Sequence, residues 1–167
     1  MVETFNKIHN YLKTLSPVKF IVLIVVFTYL IFIPLIPLFY LYEKYIGSMN
    51  APVSITRTSL LAQFITVSIV APIIETLIFQ YGVIEILSSI NYFKGKNIII
   101  VIVSALIFGI SHSYSVLYIF FGFIIGLLLA YSYILYKKKD FSAFGVVFWI
   151  HCIRNFISFM LRYVTFI

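Results

Sequence analysis

Charge is scarce in this sequence. Asp, Glu, Lys and Arg make up 10% of its 167 residues, against 63% hydrophobic residues and a mean hydropathy of +1.12. A soluble globule of this length needs a largely polar surface, so that class is excluded and the solvent is mostly lipid. Cysteine is nearly missing too. The lone Cys152 rules out an internal disulfide and a cysteine-based metal cluster, and says little about compartment. Internal repeats, low-complexity stretches and linkers long enough to separate folded units are all lacking, which leaves one domain over residues 1–167. With only five acidic residues, the net charge is +7 and the pI near 9.5. Lys and Arg lie in short segments between apolar runs and not along one helical face, so the excess is a topology signal and argues against a nucleic-acid partner.

What the chain has in quantity is apolar length. The block from Phe20 to Tyr42 carries no charge and four more such blocks follow, whereas a cleavable signal peptide has one short apolar core. The first block therefore stays as an anchor. An all-α, polytopic transmembrane bundle of about five spans is expected, at roughly 19–42, 59–90, 97–114, 116–136 and 142–165, each near or above the ~20 residues a bilayer requires. The second is too long for one straight span. Pro72 removes a backbone donor within it, which predicts a kink or break just before Glu75. Val2, Phe5, Ile8, Leu12 and Leu15 recur at helical spacing with Lys7, Asn10 and Lys13 between them, the pattern of a helix lying in the membrane interface; a soluble amphipathic tail is the plainer alternative. A cytoplasmic N-terminus would collect Lys7, Lys13, Lys19, Lys94, Lys96, Lys137, Lys138 and Lys139 inside, leaving Lys44, Arg57 and Arg162 outside, as the positive-inside rule asks of a cell-membrane protein. Gly122 and Gly126 form a small-xxx-small pair that lets another backbone approach.

Three ionisable side chains fall at membrane depth: Glu75, His112 and His151. Each is a functional-site candidate by default. Counting about 1.5 Å per residue from the inner helix ends puts His112 and Asn155 about 21–22 Å in and His151 about 15 Å, with Glu75 at similar depth on a tilted helix. His151 and Asn155, four apart, project from one face of the last helix, and Phe108 and His112 repeat that relation on the third. Ordinary interhelical hydrogen bonds, at about 0.6 kcal/mol apiece, are the plainer account. A carboxylate, two imidazoles and a carboxamide at matched depth exceed what packing needs.

The runs Ala71-Pro72-Ile73-Ile74-Glu75-Thr76-Leu77-Ile78-Phe79-Gln80, Phe108-Gly109-Ile110-Ser111-His112 and His151-Cys152-Ile153-Arg154-Asn155 together resemble the CPBP family of intramembrane proteases. That family, also called Abi, includes CAAX-processing endopeptidases and bacteriocin-linked proteins, and its motifs run EExxxR, FxxxH and HxxxN in this order. The resemblance covers about residues 71–156. It implies a glutamate-type intramembrane endopeptidase without a cofactor, in which Glu75 and His112 hold and activate a water while His151 and Asn155 stabilise the tetrahedral intermediate. Phe79 and Phe108 would pack around the site. The first motif departs from the pattern: Thr76 replaces the second Glu and Gln80 the Arg. Those positions are four apart on a helix, so both partners of an ion pair have become neutral together, which strands no charge in lipid. Thr76 and Gln80 are expected to orient Glu75 from behind as a neutral substitute.

Other readings use the same residues. Glu75, His112 and His151 are also a ligand set known in catalytic zinc sites, although no HExxH is present. A non-catalytic immunity or regulatory protein would bind a peptide or membrane protein in the same cavity. Proton or ion transport has less support in a short chain without an inverted repeat. Arg154, about a quarter-turn from Asn155, is assigned a structural role, Glu85 a solvated place near the inner interface, and Cys152 no chemistry. As partners, the resemblance implies the bilayer and a membrane-associated peptide or protein substrate. The compact, Lys-rich chain looks bacterial, so leader peptides of secreted peptides or membrane-bound signalling proteins are the expected substrates.

Overall fold

The computed structural model describes residues 2–47, 58–139 and 142–164, and among them there are helices and no strands. Helix α1 is Val2–Thr14. Four long apolar helices follow it: α2 (Pro17–Tyr45), α3 (Leu60–Ser89), α5 (Val116–Tyr136) and a last helix, α6 (Ala143–Val164). Between α3 and α5 lies the shorter apolar α4 (Asn97–Ser111). The expected architecture is therefore present, with one correction to the third span. Predicted at 97–114, it stops at Ser111, and 15 helical residues rise only about 22 Å. His112 leaves the helical conformation at φ −98°, ψ 43°, and Ser115 caps α5 by accepting from the Tyr118 N–H at 3.1 Å. Such irregular backbone at membrane depth is tolerated where it lines a cavity.

Proline acts in two ways. Pro34 and Pro37 convert the middle of α2 into a 3-10 turn at Ile33–Leu35, because neither can donate to the helical ladder. In α3, by contrast, Pro72 produces no break before Glu75. The helix runs on through two π-helical stretches, Thr66–Val70 and Thr76–Gly82, which flank the α-helical turn Ala71–Glu75.

Close packing of α4 on α5 fixes the centre of the bundle. A Cβ at Gly126 would sit 2.9 Å from Ala105 Cα, and one at Gly122 would sit 3.2 Å from Gly109 Cα. The small-xxx-small pair thus does what its spacing suggests, bringing two backbones into contact. Phe20, Ile84, Ile100, Leu129, Tyr136, Val147 and Ile150 fill the lower core and are almost fully buried. Outward-facing rows are apolar as well: Val22, Val26, Leu30 and Ile33 on α2, and Leu61, Ile65, Ile69 and Ile73 on α3, are exposed. In water such stripes would be a liability; lipid covers them. Helix α1 does not float free of the bundle, since Leu12 is buried and His9 Nδ1 lies 2.7 Å from the Tyr131 hydroxyl, while Ile8 and Tyr11 stay exposed. The side chains of Val2 and Phe5, and Arg57 with its loop, lie outside the described residues.

Candidate functional site

The π stretches of α3 have a direct local consequence. In the first, the Ala71 N–H bonds the Thr66 carbonyl five residues back and passes over Val67. The next donor in line would be residue 72, a proline with no N–H. The Val67 carbonyl is thereby left without a backbone donor inside a membrane, where an unmet carbonyl is costly. Asn155 of α6 meets it, Nδ2 donating to Val67 O at 3.0 Å. The second stretch repeats the device: Val83 N–H bonds Ile78 O, passing over the Phe79 carbonyl, which accepts from Ser104 Oγ at 2.8 Å. Thus α3 is tied to α6 and to α4 by carbonyls that its own ladder releases, and Glu75 sits on the turn between them. Such π segments recur at functional sites.

Glu75, His112 and His151 meet. Glu75 Oε2 lies 3.4 Å from His151 Nε2 and 3.8 Å from His112 Nε2. Both separations exceed good hydrogen-bond length, so the three groups surround a small space without closing it. His112 Nδ1 is 2.8 Å from the Phe108 carbonyl; a carbonyl only accepts, so Nδ1 carries the proton, and in the neutral imidazole Nε2 turns a lone pair toward Glu75. His151 is buried at 3% exposure. Phe108 stands between the imidazoles, its ring centroid 4.6 Å from that of His112 and 5.8 Å from that of His151, with Phe79 edge-on to it at 5.5 Å. Glu75, Phe108 and both imidazoles border a cavity of about 330 Å³ that also takes in Asn155, Arg154 and Tyr118. Among the described residues, no three His, Cys, Asp or Glu side chains are arranged to hold a metal ion.

Thr76 and Gln80 do not form the expected brace. Both are fully buried, yet Thr76 Oγ1 and both polar atoms of the Gln80 amide make no hydrogen bond to Glu75, to each other or to any described residue. Arg154 also differs from its assignment. Its guanidinium turns into the cavity, 4.8 Å from the Phe121 ring centroid, and Nη1 donates to Asn155 Oδ1 at 3.1 Å. Asn155 is consequently held at both ends, its oxygen by a donor and its nitrogen by an acceptor, which fixes the sense of the amide. Judged against Asn155 alone, Arg154 points aside; judged against His151, three residues earlier, it shares that face, as do Asn155 and Ser158 at four and seven. Tyr118 and the Val67 carbonyl were also missed, and only the Pro72 offset hinted at the latter. Glu85 is paired and not merely solvated, accepting from Tyr133 at 2.8 Å and from Lys137 at 2.6 Å.

The chain matches the family described as Type II CAAX prenyl endopeptidase Rce1-like over residues 57–157, a stretch that contains Glu75, His112, His151 and Asn155. It belongs to that family. The Rce1-like chain is accordingly a membrane hydrolase of the CAAX-endopeptidase class. Comparison with curated proteins and with solved structures returns no match. In this Rce1-like protein the first motif is the variant one, while the Phe108/His112 and His151/Asn155 pairs stand complete.

Proposed function

We propose that the protein is a metal-free, glutamate-type intramembrane endopeptidase whose working groups are Glu75, His112, His151 and Asn155. The observation that carries this is the flanking of Glu75 Oε2 by two imidazole Nε2 atoms at 3.4 and 3.8 Å on the wall of a cavity among apolar helices. A water held there gives one hydrogen to Glu75 and directs the other to the His112 Nε2 lone pair, which leaves its own lone pair for a scissile carbonyl. The Asn155 amide nitrogen commits one of its two hydrogens to Val67 O and keeps the second for the oxyanion, alongside His151. Collapse of the tetrahedral intermediate returns the proton from Glu75 to the leaving amine. Arg154 acts as a positioning residue, because it holds Asn155 Oδ1 away from the reaction. The substrate class is a membrane-associated peptide or protein.

Cleavage of a membrane-peptide library by the purified protein in proteoliposomes tests the reading. Glu75→Gln should lower the rate by about 10²–10⁴-fold, the usual share of general acid–base catalysis, and strong chelation should leave the wild type active. Loss of activity on chelation that zinc restores would replace this scheme with one in which Glu75, His112 and His151 are ligands. A second reading, a non-catalytic immunity or regulatory protein that binds in the same cavity, draws support from the unbonded Thr76 and Gln80. Partner binding and cellular phenotype unchanged in Glu75→Gln would favour it.

A further inference from the structure

The two ends of the bundle differ in charge, and the cavity belongs to one of them. Lys13, Lys138 and Lys139 gather around Leu15 and Ser16 where α1 meets α2, and Lys137 bonds Glu85 at 2.6 Å. These contacts bring the N-terminal segment, the end of α3 and the end of α5 to one face, and Lys94 and Lys96 of the α3–α4 turn lie there by chain order. Eight of the twelve Lys and Arg residues thus share a face: Lys7, Lys13, Lys19, Lys94, Lys96, Lys137, Lys138 and Lys139. The opposite face takes the end of α2, the start of α3, the turn after α4 and the end of α6, and among the described residues it carries only Lys44 and Arg162. Arg154 lies inside.

The cavity draws on the lysine-poor half alone. On α3 its lining runs from Gln63 to Glu75, on α5 from Tyr118 to Ile125 and on α6 from His151 to Arg162, with Tyr114 at the rim. From the lysine-rich side, Glu75 is shut off by Ile84, Ile100, Leu129, Val147 and Ile150, all at 2% exposure or less. Lysine-rich ends of membrane bundles face the cytoplasm. We propose that the site receives its substrate from the outer, lysine-poor side of the membrane, as the emergent segment of a membrane-anchored peptide; this rests on the hydrolase reading of the same cavity.

Two measurements test it in whole cells. In a Cys152→Ser background, single cysteines are placed at the rim (Ser113→Cys and Tyr114→Cys) and at the other end (Lys94→Cys), then exposed to a membrane-impermeant maleimide. Labelling at either rim position in intact cells, with Lys94→Cys reacting only after lysis, is the expected result. Lys94→Cys labelled in intact cells, or rim positions labelled only after lysis, overturns the proposal. This readout does not depend on catalysis. Peptides shed into the medium are then compared between wild type and Glu75→Gln cells. Products that vanish from the medium support outer cleavage, whereas products that change only in the cytosol overturn it. No change in either compartment refutes the hydrolase reading itself and leaves the labelling result to judge the exposed side.

Discussion

Asn155→Ala separates a structural amide from a catalytic one, because the two roles predict different sizes of effect. The substitution removes the bond to Val67 O at 3.0 Å and the bond from Arg154 at 3.1 Å while leaving Glu75 and both imidazoles in place. Interhelical polar contacts in a membrane contribute about 0.6 kcal/mol on average and at most about 1.7. If Asn155 only ties α6 to α3, and all of that loss appeared in the activation barrier, the rate would fall about threefold and at most about twentyfold. Removal of an oxyanion donor costs about 10²–10³ in kcat instead. We expect a fall of at least a hundredfold, with an unfolding free energy lowered by about 0.6–1.7 kcal/mol. Turnover of one cleaved library peptide in proteoliposomes gives the first quantity, and reversible denaturation in mixed micelles the second. A folded Asn155→Ala protein that keeps a tenth or more of its activity would refute the oxyanion assignment.

Gly126→Ala should destabilise by about 1–3 kcal/mol through overpacking, since its Cβ would lie 2.9 Å from Ala105 Cα; an unchanged melting temperature would contradict the backbone contact. Gln80→Met should leave stability equal or higher, because it replaces a buried amide that has no partner with apolar volume. Activity should persist as well, and a large loss in a folded protein would show that Gln80 acts on Glu75. His9 offers a pH test: burial, then Lys13 and Lys138, hold its pKa below the ordinary 6.5. Undocked α1 therefore binds the proton at higher pH than docked α1, so docking is fully stable above about pH 6.5 and weakens as pH falls through the lower docked value. Hydrogen exchange of α1 amides, corrected for intrinsic rates, should quicken at acid pH in wild type and not in His9→Gln.

Much of the architecture could be read from the order of residues, and the reasons are local. Uncharged apolar runs set the spans, and α5 falls where its pattern placed it at Val116–Tyr136. Gly122 and Gly126 announced a close helix crossing by spacing alone. The third span misled because Ser113, Tyr114 and Ser115 are polar enough to cap a helix yet few enough to pass within an apolar window. Pro72 signalled disruption correctly, although the helix does not break there: the lost donor is absorbed by a π offset, and a neighbouring side chain takes the freed carbonyl. That neighbour, Asn155, is 88 residues away. The same distance hid the fate of Thr76 and Gln80, whose i, i+4 relation suggested a clamp while their surroundings supply nothing to bond.

The shortness of α4 has a further consequence for the bilayer. At about 22 Å, its helical part falls roughly 8 Å short of a hydrocarbon layer about 30 Å thick. Lipids beside it must thin, or the headgroup region must dip inward, at a cost of fractions of a kcal/mol per Å of mismatch. A dip at the Ser111 end would lie next to His112, beside the cavity proposed above for hydrolysis, where the anchor of a passing peptide would lose its hydrophobic match and fray. The protein should therefore work best in thin membranes, and acyl-chain length becomes a dial on its rate.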